Sequence, residues 1–161
     1  MLRQEGFGGR VTVVSADDAP PYDRPNLSKD YLAGTAPEEW IPLHPPDLYR
    51  ERDRCASQRQ ARRSALTSWL LAAGAEPIRL QQPGAQLPHV RTLRSLADNR
   101  ELIGRARKGS RAVVVGASFI GLETAAALRH REVEVHVLAP EAWPMERMLR
   151  PALGDFVRSL A

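Results

Sequence analysis

The sequence predicts an α/β fold in which parallel strands are connected through a helix. The apolar run Ala112–Val115 indicates one strand, and Val133–Leu138, in which valine alternates with polar residues, indicates another. Between them, the turn Gly116–Gly121 leads into Ile120–His130, which has the apolar spacing of an amphipathic helix. Strand, turn, helix and strand within about 30 residues form the minimum parallel crossover, and such crossovers are almost always right-handed.

Length and composition bound the class of protein. The 161 residues fit one domain or two small ones, and 43% of them are hydrophobic, which is enough to build a core. No apolar run approaches the roughly 20 residues that a membrane span needs, and Met1–Arg10 lacks the apolar stretch of a signal peptide. We therefore expect a soluble cytoplasmic protein with no membrane partner. We also expect no metal site.

The charge balance is basic, with a formal net charge of +4 and a sequence pI of about 9.8. A basic balance can indicate a nucleic-acid partner, but it also accompanies phosphate-bearing cofactors. Because the net charge is modest for this length, we expect no nucleic-acid partner. Nucleic-acid binding through the arginines of residues 50–63 is kept as an alternative, which only that arginine-rich run supports.

The N-terminal part of the chain predicts one strand followed by a proline-rich connection. Val11–Ser15 is typical of a short buried strand. Prolines exclude a helix from Asp17–Asn26, and one or two helical turns are expected over Leu27–Leu32. Ser28 is a candidate cap for those turns, and Gly34 is the predicted stop.

The middle of the chain is less regular. Arg50–Ser68 is rich in arginine and almost free of apolar residues, so it buries little, and we expect an exposed helix or disorder. Trp69–Ala73 is consistent with a buried strand closed by Gly74. Ser95–Lys108 has a helical pattern, and Pro151–Leu160 is the expected start of a further helix.

The turn that opens the crossover helix predicts a dinucleotide-binding site. Gly116 permits a tight turn and Gly121 permits close packing of the helix against the strand, while Ser118 replaces the second glycine of the G-x-G-x-x-G pattern. Serine is small enough to keep most of the backbone's approach to a pyrophosphate. With Phe119 and Ile120 at the helix N-terminus, these are the predicted cofactor contacts. A structural turn without a ligand is the alternative interpretation.

Two acidic residues follow predicted strands and are candidates to bind a ribose. Glu141 comes twenty residues after Gly121, at the place where a carboxylate accepts hydrogen bonds from ribose hydroxyls and favours NAD over NADP. Asp17 follows the first strand and could bind a second ribose in the same way. The alternatives are a solvated loop acid at position 141 and the start of a turn at position 17.

Three segments together resemble one family. They are Pro21–Lys29, Leu71–Pro77 and Val113–Glu123, in this order along the chain. They resemble the FAD-dependent pyridine nucleotide-disulfide oxidoreductase superfamily, in the branch that contains ferredoxin, rubredoxin and putidaredoxin reductases and apoptosis-inducing-factor-like proteins. The resemblance covers Leu2 to about Asp47 and Trp69–Leu160, and it implies an incomplete Rossmann-like, three-layer FAD/NAD(P)-binding fold.

The resemblance also implies roles for particular residues. Lys29 corresponds to the lysine beside the flavin ring, and Glu123 to the glutamate near the nicotinamide that commonly pairs with it. A charge pair at this point would position the hydride path, whereas without the family Lys29 is best interpreted as a solvated lysine at a helix start. The other implied FAD-binding residues are Asp17, Arg24, Pro25, Ala73 and Gly74.

The function that the resemblance implies is NAD(P)H oxidation through FAD. The only cysteine is Cys55, so the chain has no pair of redox cysteines. It therefore resembles the branch that passes electrons from NADH through FAD to an iron–sulfur protein, and the flavin would supply the redox chemistry. Residues 1–108 are expected to be a partial FAD-binding domain, and residues 109–161 the N-terminal half of an NAD(P)-binding domain.

The chain also departs from the family pattern. Met1 falls inside the helix that follows the family's FAD phosphate turn, and the family continues beyond Leu160. Arg50–Ser68 has the composition of a GC-rich reading frame out of register, which is a hypothesis that the nucleotide sequence would test. We therefore expect an incomplete enzyme. The alternative is a non-catalytic remnant or nucleotide-binding module that does not retain FAD.

Overall fold

The chain folds into two compact units in the computed structural model. The first unit comprises residues 1–23 and 42–76, and the second comprises residues 24–41 and 77–161. The expected division between residues 108 and 109 concerns ligand-binding domains, and it stays a prediction. The residues that the structure describes are 4–9, 11–51, 54–57, 68 and 70–160.

The first unit contains a parallel pair of strands. β1 (Thr12–Ser15) pairs with β2 (Arg54–Ser57), and a short helix, α2 (Pro46–Glu51), precedes β2. The strand predicted near residue 11 is confirmed, although Val14 is 49% exposed rather than buried. An exposed helix or disorder was expected over Arg50–Ser68, and this is wrong for β2. The backbone groups of β1 need hydrogen-bond partners, and β2 provides them without apolar side chains. Residues 52–53 and 58–67 lie outside the described residues.

The strand predicted at Trp69–Ala73 is wrong. Residues 70–80 have no regular structure, and Leu70 and Leu71 are 90% and 80% exposed. An apolar run becomes a strand only when another strand pairs with it. In the described ranges, β1 and β2 pair with each other and the remaining two strands do the same. Trp69 itself is outside those ranges.

The second unit is built on the crossover that the sequence predicted. β3 (Arg111–Val115), α4 (Phe119–His130) and β4 (Glu134–Leu138) follow one another, and β3 and β4 pair in parallel. Leu128 and Val133 are buried in the core, where Val114 and Val135 pack against them. The period-2 alternation of the strands thus places one set of valines against α4.

A short helical segment packs against α4. A 3₁₀ helix (Arg24–Ser28) precedes α1 (Asp30–Ala33), so the extended stretch ends at Asp23, three residues earlier than expected. Proline is tolerated in a first helical turn because its missing N–H has no intrahelical role there. Ser28 is not the cap of α1, since Lys29 occupies that position without a side-chain cap.

The end of α1 is fixed by a glycine and an arginine. Gly34 has the left-handed φ of 85° and closes the helix, as predicted. The side chain of Arg131, at the end of α4, donates from Nε to the carbonyl oxygen of Leu32. This contact joins the end of α1 to the end of α4.

The predicted helix at Ser95–Lys108 is confirmed as α3 (Leu96–Arg105). It packs against the 3₁₀ helix Arg24–Ser28 and against α1. Ser95 and Asp98 form a capping box at its start. The fully buried Asn99 donates from Nδ2 to the carbonyl oxygen of Leu27.

Two more helical elements complete the unit, a 3₁₀ turn (Glu38–Trp40) and α5 (Pro151–Ser159), the latter close to the range that the sequence indicated. Among the described residues, no helix has the length and apolar character to cross a membrane.

Replacement of Gly34 by alanine is expected to destabilise the protein. The backbone conformation there disfavours a side chain, and an added Cβ would lie 2.9 Å from Nη2 of Arg131. We expect the free energy of unfolding to fall by about 1–2 kcal/mol, measured by urea denaturation. Gly104→Ala is the matched control, because it lies in α3 with open space around it. It should stabilise by up to about 1 kcal/mol, and equal effects of both changes would contradict the argument.

The contact between Glu38, in the 3₁₀ turn Glu38–Trp40, and Arg100, in α3, is expected to make stability depend on pH. Nη2 of Arg100 lies 2.5 Å from Oε1 of Glu38, and the Tyr31 hydroxyl donates to Oε2. These hydrogen bonds, that of Arg100 first, hold the pKa of the Glu38 carboxyl below its ordinary value of 4.5. A lowered pKa contributes stability that is present above the ordinary value and is lost as the pH falls through the lowered one.

Glu38→Gln should therefore reduce stability at pH 7 and have a shrinking effect as the pH drops below 4.5. Because Glu38 and Arg100 are about half exposed, the loss at pH 7 should stay below about 1 kcal/mol. Thermal melts at several pH values measure it, with the exposed neighbour Glu39→Gln as control. A difference that stays constant down to pH 3 would refute this account.

Candidate functional site

The turn between β3 and α4 has the geometry that its glycines predict. Gly116 has a φ of 117°, which favours glycine, and its N–H donates to the carbonyl oxygen of Leu138 over 2.8 Å. A Cβ on Gly121 would overlap the carbonyl oxygen of Gly116. Gly116 is therefore needed for its backbone angle, and Gly121 is needed for the close approach of helix and turn.

The N-terminus of α4 leaves its first residues accessible. Ser118 precedes the helix in an extended conformation, and its hydroxyl makes no capping bond. Phe119 and Ile120 are 55% and 62% exposed. The first N–H groups of a helix lack intrahelical partners and carry partial positive charge. With no acidic residue in the first turn, this end of α4 is chemically suited to phosphate oxygens.

Glu141 lies next to this turn. The segment after β4 returns to the turn, where the N–H of Met145 donates to the carbonyl oxygen of Ala117 over 2.8 Å. Glu141 and Ala117 both line a cavity of about 330 Å³, which the crossover residues Val135 and Val137 also line. The Glu141 side chain is 25% exposed, and Nε of Arg147 lies 3.9 Å from its Oε1. Glu141 thus shares a cavity with the turn residue Ala117 and is loosely paired with an arginine.

Lys29 and Glu123 are brought together, as the resemblance implied. Nζ of Lys29 lies 3.6 Å from Oε1 of Glu123, and their side chains are 49% and 31% exposed. The hydroxyl of Ser28, which is buried, donates to Oε2 of the same carboxylate over 2.6 Å. Glu123 is in the second turn of α4, so the ion pair lies at the same end of the helix as the glycine turn. Lys29 is half exposed at the start of α1, as its interpretation as a solvated lysine expects, and it has a carboxylate partner in addition.

The other residues implied for FAD fall in different surroundings. Arg24 and Pro25 are exposed residues of the 3₁₀ helix that ends at Ser28. Ala73 and Gly74 lie exposed in the irregular segment 70–80. Their roles toward FAD stay predictions.

Asp17, in the first unit, organises a turn. Its Oδ1 accepts from the N–H of Ala19 over 3.1 Å, and its Oδ2 accepts from the hydroxyl of Tyr22 over 2.5 Å. The interpretation of Asp17 as the start of a turn is therefore correct. Its proposed contact with a ribose stays a prediction.

Sequence reasoning missed two residues that shape the site. Ser28 was considered only as a cap, although its position beside Lys29 made it a neighbour of any partner of that lysine. Asn99 was not singled out, although it lies on the apolar face of α3 between Leu96 and Ile103. A polar residue on such a face is a signal for a buried hydrogen bond.

Comparisons with known proteins identify the family and the fold. A family model described as pyridine nucleotide-disulphide oxidoreductase matches residues 1–160. Rhodocoxin reductase from Rhodococcus erythropolis is 35% identical, over 96% of this chain and 40% of its own length. Rubredoxin-NAD(+) reductase from Pseudomonas putida is 31% identical, over 98% of this chain and 45% of its own length.

A solved structure shares the fold. The covalent putidaredoxin reductase–putidaredoxin complex matches with a TM-score of 0.88 and 27% identity, over 99% of this chain and 43% of the matched chain. The predicted fold class, a partial Rossmann-like α/β fold, is confirmed. The chain spans less than half the length of each of these relatives.

Proposed function

The chain belongs to the pyridine nucleotide-disulphide oxidoreductase family, and on that premise we propose that it forms the NAD(P)H-binding and hydride-transfer part of an FAD-dependent oxidoreductase. The family predicted from the sequence is confirmed. The observation that carries the proposal is the Lys29–Glu123 pair at the end of α4 that also carries the glycine turn. Both features lie within the second compact unit.

The residues of the glycine turn fit the pyrophosphate of NAD(P)H. The close contact between Gly121 and the carbonyl of Gly116 seats the start of α4 against the turn, and the small side chain of Ser118 leaves the backbone open to a pyrophosphate. Ser118 would offer its uncommitted hydroxyl, and the N–H groups of Phe119 and Ile120 would face the phosphate oxygens.

The ion pair would orient the reacting groups. Bound FAD would supply the redox chemistry, as the acceptor for the hydride of NAD(P)H and the source of single electrons for the next acceptor. Lys29 and Glu123 would hold their positions beside the path of the hydride. A charge pair of this kind, with one carboxylate oxygen also hydrogen-bonded by Ser28, keeps reacting groups aligned at little cost in reorganisation. Arg24 and Pro25 would line the flavin side from the same 3₁₀ helix.

Glu141 supports NAD as the nicotinamide cofactor. Glu141 lines the cavity that the turn residue Ala117 also lines, and there its carboxylate would accept hydrogen bonds from ribose hydroxyls and repel a 2′-phosphate. Arg147 lies within ion-pair distance of it and is 87% exposed. We propose that this arginine neutralises part of the repulsion, so that discrimination against NADP is modest.

The acceptor and the domain assignment complete the proposal. Rubredoxin-NAD(+) reductase is named for a rubredoxin, and the matched putidaredoxin reductase is in complex with putidaredoxin. These names support an iron–sulfur protein as the acceptor. Residues 1–108 would contribute to the FAD side and residues 109–161 to the NAD(P) side.

A second candidate is a nucleotide-binding module that does not retain FAD. The exposed positions of Ala73 and Gly74, and of the adjoining Leu70 and Leu71, favour it, because these residues form no wall for a ligand. The short β1–β2 pair also leaves Val13 and Val14 exposed. The two candidates agree on the glycine turn and differ only on the flavin.

NADH binding tests the glycine turn. Gly121→Ala should weaken NADH binding by about tenfold or more, because the added methyl group pushes the helix away from the turn. Titration of NADH fluorescence measures the affinity. Gly104→Ala, in open space on α3, is the control and should bind like the parent chain. Equal affinities of all three proteins would contradict the proposed site.

Flavin content shows whether this chain by itself holds FAD, apart from the oxidoreductase of which we propose it is a part. We expect the purified chain to retain much less than one FAD per molecule, since Ala73 and Gly74 are exposed. The visible absorbance spectrum of the protein, compared with that of flavin released by denaturation, gives the ratio. A stoichiometric yellow protein would overturn this expectation and support the complete hydride-transfer function.

A further inference from the structure

The carboxylate of Glu123 is held by two different groups, one at each oxygen. Ser28 donates from Oγ to Oε2 over 2.6 Å, whereas Nζ of Lys29 lies 3.6 Å from Oε1. Ser28 is 5% exposed, while the Lys29 side chain is 49% exposed. The two contacts therefore differ in length and in access to water.

These differences decide which group fixes the carboxylate. A half-exposed ion pair is screened by water, and a long lysine side chain loses conformational freedom when it is held in one geometry. A short hydrogen bond from a buried hydroxyl to an ionised oxygen is stronger and directional. The orientation of Glu123 thus depends on the serine more than on the lysine.

The backbone of Ser28 is itself held in place. The residue closes the 3₁₀ helix, and the fully buried Asn99 donates to the carbonyl oxygen of its neighbour Leu27. A serine rotates about only one side-chain bond that moves its oxygen. The hydroxyl therefore has a defined position relative to α4.

We propose that Ser28 is a positioning residue, which fixes Oε2 of Glu123 so that Oε1 faces Lys29. This inference rests on the proposed function, because it gives the ion pair its role beside the hydride path. Ser28 acts only through Glu123 and touches no reacting atom. Its hydroxyl is also 3.3 Å from the carbonyl oxygen of Pro25, so it has a second acceptor whenever the glutamate turns away.

The two lysines of the chain provide a direct test. Lys29 and Lys108 are the only amine side chains in the sequence, and Lys108 pairs with Glu132 over 2.7 Å at a separate, exposed place. An amine that is held against a carboxylate is shielded from acetic anhydride, and an amine that turns away into water is acetylated faster. The ratio of acetylation at Lys29 to that at Lys108, measured by peptide mass spectrometry, reports how Glu123 faces Lys29.

Ser28→Ala should raise this ratio by about two- to fivefold, the range expected for loss of a partly exposed ion pair. Glu123→Gln should raise it to a similar extent, and the double variant should show no further increase. Ser28→Thr, which retains the hydroxyl, should keep the ratio of the parent chain. Such rescue would not follow if Ser28 merely filled space.

Each other outcome has a defined meaning. If only Glu123→Gln raises the ratio, the ion pair stands and the positioning role of Ser28 is refuted. If Glu123→Gln has no effect, the ion pair is absent in solution, and both this inference and the proposed function lose their basis. Should Ser28→Ala fail to fold by circular dichroism, Ser28→Cys keeps the volume with a much weaker donor. An unchanged ratio in that variant would refute the inference as well.

Discussion

The packing of the 3₁₀ helix and α1 against α4 is the contact on which the candidate site depends. It is held at one end by Ser28 and Lys29 on Glu123, and at the other by Arg131 on the Leu32 carbonyl. The partners of each contact are more than ninety residues apart in the chain. Without this packing, Lys29 would be a solvated lysine and Glu123 an acid on a helix surface.

α4 can serve both the turn and the ion pair because it carries small residues where neighbours come close. Gly121 brings its first turn against Gly116, and Ala125 and Ala127 are buried along its length. Because these small residues let neighbouring elements come close to α4, van der Waals contacts hold the helix rigidly in place. In the function that we propose, a rigid helix would fix the distance between a phosphate at its N-terminus and the carboxylate in its second turn, as aligned hydride transfer requires.

The parts of the fold that followed from local sequence were those with local causes. The crossover from Arg111 to Leu138 has periodic valines, a glycine turn and an amphipathic helix, and each signal acts over a few residues. Trp69–Ala73 and Arg54–Ser57 were misjudged in opposite directions, since strand formation depends on a partner elsewhere in the chain. Ser28 was misjudged because its hydroxyl partner lies on another helix rather than in its own turn.

The sequence by itself determined the α/β crossover, its glycine turn and, through the resemblance, the family and the Lys29–Glu123 pair. Only the tertiary structure decided that Ser28 holds the second oxygen of Glu123 and that Asn99 supports the backbone behind it. It also decided that Asp17 organises a turn and that Ala73 and Gly74 are exposed. The physical reason is that backbone conformation follows short-range sterics and periodicity, whereas side-chain hydrogen bonds and burial depend on elements that meet only after the chain has folded.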